Sequence, residues 1–243
     1  MGYNIPISKG EIPFITTKQM IEVDRLMIEK YNINLVQMME NAGRCLAIVV
    51  RDAIILNDGS KVLIIAGAGG NGGGGMTSAR RLYNWGYDVN VLITSDRNKY
   101  QGTIKSQLRI LENIGVSIVE QKDFAFEQHY DVIVDAMIGY SLKGELRKNA
   151  IRIVNWVNQS KSFVVSLDVP SGIDSTTGEL RPVCVNANTT ITLALPKIGF
   201  RKRESEIGRL LLADISVPTG LYEQGLGIKV DSIFSKSDIV ELR

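Results

Sequence analysis

The sequence predicts an α/β fold with a mainly parallel central sheet and helices on both faces, and three observations carry this. From residue 61 onward, short apolar runs alternate with helical patterns, as in strand–crossover–strand units. The first run, Val62-Leu63-Ile64-Ile65-Ala66, is continuous and rich in branched side chains, as in a strand buried on both faces. Directly after it come seven glycines in nine residues, Gly67 to Gly75. That is where ligands bind in such sheets, beyond the carboxyl ends of the strands.

Taken in order, residues 1–15 read as an extended arm. Thr16-Thr17-Lys18-Gln19 offers a capping box, and Met20, Val23 and Met27 follow at helical spacing. A loop at Tyr31-Asn32-Ile33-Asn34 leads to a second helix with the stripe Leu35, Met38, Met39, Ala42, Leu46 and Val49. These two helices precede the first strand. The glycine run is expected to be a loop that enters a helix at Met76, which continues to Trp85 with Gly86 as its stop. Glycine removes every Cβ, so N–H groups can approach a ligand, and the helix N-terminus beyond favours phosphate. Because ordering glycine is entropically costly, this density argues for a ligand loop over a plain turn.

The remaining elements follow the same alternation. Strands are expected at Val89–Thr94, Ser117–Glu120, Asp131–Ala136, Phe163–Leu167, Thr189–Leu195 and around Arg209–Asp214, and helices at Ile104–Ile114 and Leu146–Gln159. Residues 219–243 match nothing specific and read as a variable tail packing on the sheet. With no internal repeat or linker, residues 1–243 read as one unit.

Composition narrows the function classes. An apolar fraction of 44% and a charged fraction of 22% are those of an ordinary soluble globule. A net charge of +2 with interspersed signs gives no electrostatic case for nucleic acid. The two cysteines, Cys45 and Cys184, have no metal-ligand spacing and fit a reducing, cytoplasmic setting as small core residues. The single histidine, His129, leaves almost no material for a His-based metal site or triad. No apolar run approaches the roughly 18–20 residues that span a bilayer.

Two strands end in aspartate before a glycine turn, at Asp135-Ala136-Met137-Ile138-Gly139 and Asp168-Val169-Pro170-Ser171-Gly172. A carboxylate at the end of a buried strand is costly unless paired or ligating. Two readings stay open on these residues. Gly67-Ala68-Gly69-Gly70-Asn71-Gly72 satisfies GxGxxG with Asp96 after the next strand, as in a nicotinamide-dependent oxidoreductase. Alternatively the glycine run cradles a phosphate facing a carboxylate-lined pocket, a reading that uses all three turns.

With those turns in view, the chain resembles the YjeF N-terminal domain family of NAD(P)H-hydrate epimerases over about residues 16–218. The resemblance rests on the helix Val36 to Gly43, the glycine run against GxGNNGGDG, Val134 to Gly139 with Lys143-Gly144, Ser166 to Gly172 against S-x-D-x-P-S-G, and Leu195-Pro196-Lys197-Ile198-Gly199. It implies a Rossmann-like three-layer αβα fold, commonly a homodimer, that interconverts the R and S hydrates of NADH and NADPH. The dinucleotide is then substrate (NADHX or NADPHX) and not redox cofactor.

The resemblance further implies one potassium ion held by Asn71, Asp135 and Ser171. It places substrate on Gly70, Asn71, Gly72, Gly73 and Gly74, on Gly139, Tyr140, Ser141, Leu142, Lys143, Gly144 and Glu145, and on Asp168. Breaking and re-forming a C–O bond calls for a carboxyl that gives and takes a proton, hence Asp168 as acid/base, with Lys143 or the ion stabilising charge. Two positions depart from the family: Gly70 stands in its Asn pair, and Gly74 replaces its Asp, which removes one substrate-contacting side chain. A catalytically silent nucleotide-binding or RNA-associated scaffold of the same fold is the alternative this raises. Relatives often fuse this domain to a dehydratase, which is expected here as a separate protein.

Overall fold

The computed structural model describes residues 4–8, 10–142 and 144–243. Two helices come first, α1 (Thr17–Glu29) and α2 (Leu35–Leu56). Each begins with a reciprocal capping box, Thr16 with Gln19 and Asn34 with Gln37, so two otherwise orphaned N–H groups are satisfied at each start. The alternating part runs β1 (Lys61–Ala66), α3 (Gly70–Asn84), β2 (Asp88–Ile93), α4 (Gly102–Asn113), β3 (Ser117–Glu120), β4 (Val132–Ala136), α5 (Lys148–Gln159), β5 (Phe163–Leu167) and β6 (Thr189–Leu193). It closes with α6 (Glu204–Ile207), β7 (Arg209–Ala213), α7 (Thr219–Leu226) and β8 (Ile239–Glu241).

The eight strands form one sheet in the order β3-β2-β1-β4-β5-β6-β7-β8. All pairings are parallel except β7 with β8. Because successive strand residues face opposite ways, β1 feeds two cores. Val62, Ile64 and Ala66 join residues of α2, α3 and α4 on one face, whereas Leu63 and Ile65 join Ile153, Val154 and Val157 of α5 on the other. This is the expected three-layer arrangement. The strand order reverses between β1 and β4, so a crevice opens beyond their carboxyl ends.

The expected C-terminal tail is more ordered than a packing appendage. Its helix α7 buries Leu221 and Tyr222 with Met20, Val23 and Met27 of α1, and β8 extends the sheet antiparallel to β7. The N-terminal arm is tied down by bridges from Ile7 to Glu241 and from Ile15 to Lys197. Among the described residues, no helix is long and apolar enough to cross a membrane.

The glycine run differs most from expectation. Instead of a loop reaching Met76, α3 begins at Gly70, and four of the glycines lie buried in its first turns. Glycine is intrinsically poor in a helix, yet tertiary packing overrides that here. A Cβ on Gly75 would stand 2.6 Å from the Ala136 Cβ on β4, and one on Gly72 would stand 1.8 Å from the Gly67 carbonyl oxygen. On the facing helix, a Cβ on Gly43 would lie 2.5 Å from that of Thr77. The glycines therefore let α3 sit against both the sheet and α2. Gly75→Val is expected to destabilise by about 1–3 kcal/mol or more through overpacking. Gly70→Ala meets open space and is expected to leave the melting temperature unchanged or raised, so thermal denaturation of the two variants side by side checks this packing role.

Candidate active site

The turn after β4 is stitched to the turn after β5. Ile138 and Tyr140 donate backbone N–H groups across it, to Ser171 Oγ (3.0 Å) and Asp168 Oδ2 (2.9 Å), while the Met137 N–H caps Asp135 Oδ1 (3.3 Å) within the β4 turn. Asp135 is fully buried and accepts further bonds from the Ser171 N–H (2.8 Å), the Ser171 hydroxyl (2.6 Å) and the Ser166 hydroxyl (3.0 Å). Burial pushes its carboxyl up, opposed mainly by the Ser171 hydroxyl and N–H. Among the described residues no basic side chain bonds to it. The buried Asp135 carboxyl, beside the Ser171 hydroxyl and the Ile138 carbonyl 3.3 Å from that hydroxyl, groups hard oxygen atoms that suit an alkali or alkaline-earth cation over a soft metal.

Asp168 lies one residue past β5 with φ at +66°, in the left-handed region where aspartate is tolerated but uncommon. Its N–H is held by the Ile191 carbonyl at 2.8 Å. This kink turns the carboxylate towards Lys197, whose Nζ donates to Asp168 Oδ1 at 2.5 Å, to the Leu193 carbonyl at 2.8 Å and to Thr192 Oγ1 at 3.1 Å. Three acceptors match the three donors of an ammonium group. Both partners are buried, Lys197 completely.

A cavity of about 270 Å³ opens above this pair, lined by α1, α2, the start of α3 and the β4 and β5 turns. Of the sequence-predicted residues it gathers Gly70, Asn71, Gly74, Gly139, Tyr140, Ser141 and Asp168. Ser141 also borders a neighbouring cavity of about 810 Å³, with Leu142 and Glu145. Gly72 and Gly73 face elsewhere, towards the Gly67 backbone and the Met39 side chain. Gly144 lines neither cavity, and Lys143 lies outside the described residues. Asn71 donates from Nδ2 to the Leu167 carbonyl (3.2 Å), which leaves its amide oxygen beside Gly139. Asp96 borders the larger cavity, away from the Asp168 carboxylate.

Sequence reasoning passed over two groups here. Lys197 lies in the motif Leu195 to Gly199, where the resemblance assigns it no role, although a lysine in an otherwise apolar Ala194-Leu195-Pro196 setting signals a buried partner. Asp24 on α1 also lines the cavity, and its Oδ2 accepts a bond from the Tyr140 hydroxyl at 2.5 Å. Nothing local in the α1 pattern marks it. The cysteines are inert, as expected: burial pushes Cys45 up to about 12 and Cys184 up to about 11, so neither supplies a thiolate at neutral pH. His129 is exposed beside Asp131.

A sheet whose order reverses at β1/β4, with a helix N-terminus at the reversal and a carboxylate–ammonium pair one strand further on, places the protein in the Rossmann-like α/β class. Within it the chain belongs to the family described as YjeF-related protein N-terminus, whose model matches residues 35–199. It is similar to an NAD(P)H-hydrate epimerase of Dehalogenimonas lykanthroporepellens, 39% identical with 94% of this chain and 92% of that one covered. An NAD(P)H-hydrate epimerase of Rhodopirellula baltica is 32% identical, with 88% of each covered. A bifunctional NAD(P)H-hydrate repair enzyme of Moorella thermoacetica is 32% identical, and 85% of this chain corresponds to 41% of its length. The crystal structure of yeast ynu0 superposes with a TM-score of 0.80 at 26% identity, covering 95% of this chain and all of that one.

Proposed function

We propose that the protein is an NAD(P)H-hydrate epimerase, interconverting the R and S hydrates of NADH and NADPH at the cleft beside Asp168. The observation that carries this reading is the Asp168–Lys197 pair beneath a cavity bordered by the N-terminus of α3. The first N–H groups of α3 have no partner within the helix and carry its partial positive charge, which suits the pyrophosphate. The hydrated ring occupies the smaller cavity and the remainder of the dinucleotide extends past Ser141 into the larger one.

Chemically, the hydroxyl-bearing carbon adjoins the ring nitrogen. Protonating the hydroxyl lets the C–O bond break while the nitrogen lone pair forms a C=N bond, and water returns to the opposite face. A carboxyl within reach is the natural proton carrier. Gly74, in place of the family aspartate, takes no part in this step, and its would-be Cβ meets Leu167 at 3.0 Å.

The same reading includes a potassium ion held by Asn71, Asp135 and Ser171, which would offset the buried Asp135 charge. A homodimer, a reducing cytoplasmic setting and a dehydratase activity acting on one epimer complete it. Because a bound ion stabilises only the folded state, the melting temperature is expected to rise with potassium over tetramethylammonium at equal ionic strength, and to lose that response in Asp135→Asn. Identical melting in both salts would remove the ion from the proposal. The activity itself is tested by mixing protein with R-enriched NADHX and following the R/S ratio by chromatography. Equilibration much faster than buffer is expected; a rate equal to buffer with the dinucleotide still bound would favour the silent scaffold.

A further inference from the structure

We infer that Asp24 is a second catalytic carboxyl, lining the same cavity as Asp168 and acting with it on the hydrated ring. This rests on the epimerase reading and adds a residue to it. Tyr140 connects the two groups: its backbone N–H donates to Asp168 Oδ2 at 2.9 Å, and its hydroxyl donates to Asp24 Oδ2 at 2.5 Å. A rigid aromatic side chain therefore sets their spacing. Both carboxyls and Tyr140 line the same cavity. In inverting glycosidases two carboxyls about 6.5–9.5 Å apart leave room for a water on the far side of an oxocarbenium-like centre. A C=N cation formed from the hydrate poses the same geometric demand.

The two groups stand in contrasting environments. Asp168 has a charge partner in Lys197 and a second donor in the Tyr140 N–H. Asp24 has one hydrogen bond, from a neutral hydroxyl, and its Oδ1 has no partner among the described residues. Burial pushes the Asp24 carboxyl up, the Tyr140 bond pulls it down, the Asp168 charge pushes it up and Lys197 pulls it down, with the net upward. Tyr222 faces it from α7, while Arg25 next to it on α1 is engaged by Glu22 and Glu29. Environments that differ in this way assign acid and base within a pair.

The step balances within the pair. Asp24 gives its proton to the leaving hydroxyl as the C–O bond breaks, and the ring nitrogen supplies the electron pair for C=N. A water then attacks the other face, and Asp168 takes its proton as the new C–O bond forms. Turnover in the opposite sense, or exchange with solvent, restores the pair. The step from this side requires Asp24 to hold its proton, so the rate falls as pH rises and Asp24 loses it.

The test compares wild type, Asp24→Asn and Tyr140→Phe in the R/S equilibration assay across pH, with NADH binding followed by fluorescence. Asp24→Asn is expected to lower kcat by about 100-fold or more while KM and NADH binding stay within a few-fold. Tyr140→Phe removes the bond that lowers the Asp24 carboxyl, so its alkaline limb is expected to move to higher pH, a shift that loss of packing would not produce. Full kcat in a folded Asp24→Asn protein, or an unmoved alkaline limb in Tyr140→Phe, overturns the second carboxyl. Wild type that binds NADH yet never equilibrates the hydrates overturns the epimerase reading itself, a distinct outcome.

Discussion

Lys197→Met is expected to destabilise the protein by about 3–5 kcal/mol, because it strands the buried Asp168 carboxylate without its counter-charge. For a chain of this size that lowers the melting temperature by roughly 6–20 °C. Three acceptors, Asp168 Oδ1, Thr192 Oγ1 and the Leu193 carbonyl, also lose their donor together. Methionine fills most of the volume, so a cavity contributes little, and the loss reports the unpaired charge. Adding Asp168→Asn to Lys197→Met removes that charge and is expected to recover much of the stability, since replacing both members of a buried pair is often nearly neutral. Activity is expected to be low in the double variant, because the Asp168 carboxyl is gone. Thermal denaturation of the two single variants and the double one decides it: a Lys197→Met protein melting within about 2 °C of wild type would mean that solvent reaches the pair.

Asp168→Asn is the variant expected to cost most in rate, about 10²–10⁴ in kcat, the usual contribution of a positioned acid or base. Asparagine is the informative choice. It tolerates the left-handed backbone that Asp168 adopts, whereas alanine at φ +66° would add strain and confuse folding with chemistry. Its amide oxygen can still accept from Lys197 or from the Tyr140 N–H, so the turn is expected to hold and NADH binding to persist. Measured by R/S equilibration, full turnover with binding retained would remove Asp168 from the proton-carrying role. It would also shift weight towards Asp24 acting alone.

Much of the architecture was legible because it depends on local periodicity. The continuous apolar run in β1 and the aspartate-ended strands β4 and β5 carry their signal within a few residues. The capping box at Thr16 is equally local and appears where expected. β8 was not legible: Ile239–Glu241 is three residues long and becomes a strand only because β7 offers it an open edge. The glycine run was legible as a special place but not for the right reason. Its composition signals freedom of the backbone, whereas the structure uses it for close approach of α3 to Ala136 and Gly43, contacts made by residues distant in sequence.

The site divides the same way. The sequence by itself determined the fold class, the family, the two strand-end aspartates and the glycine run upstream of them as a special place, because each is a local pattern of residue types. Only the tertiary structure decided what those groups face. Lys197 reaches Asp168 from 29 residues away, and Asp24 meets Tyr140 across 116. Such pairings cost nothing locally and leave no periodic trace. They exist because the parallel sheet brings the ends of β5 and β6 side by side and α1 closes over them, where a low-dielectric setting makes each buried charge depend on its partner.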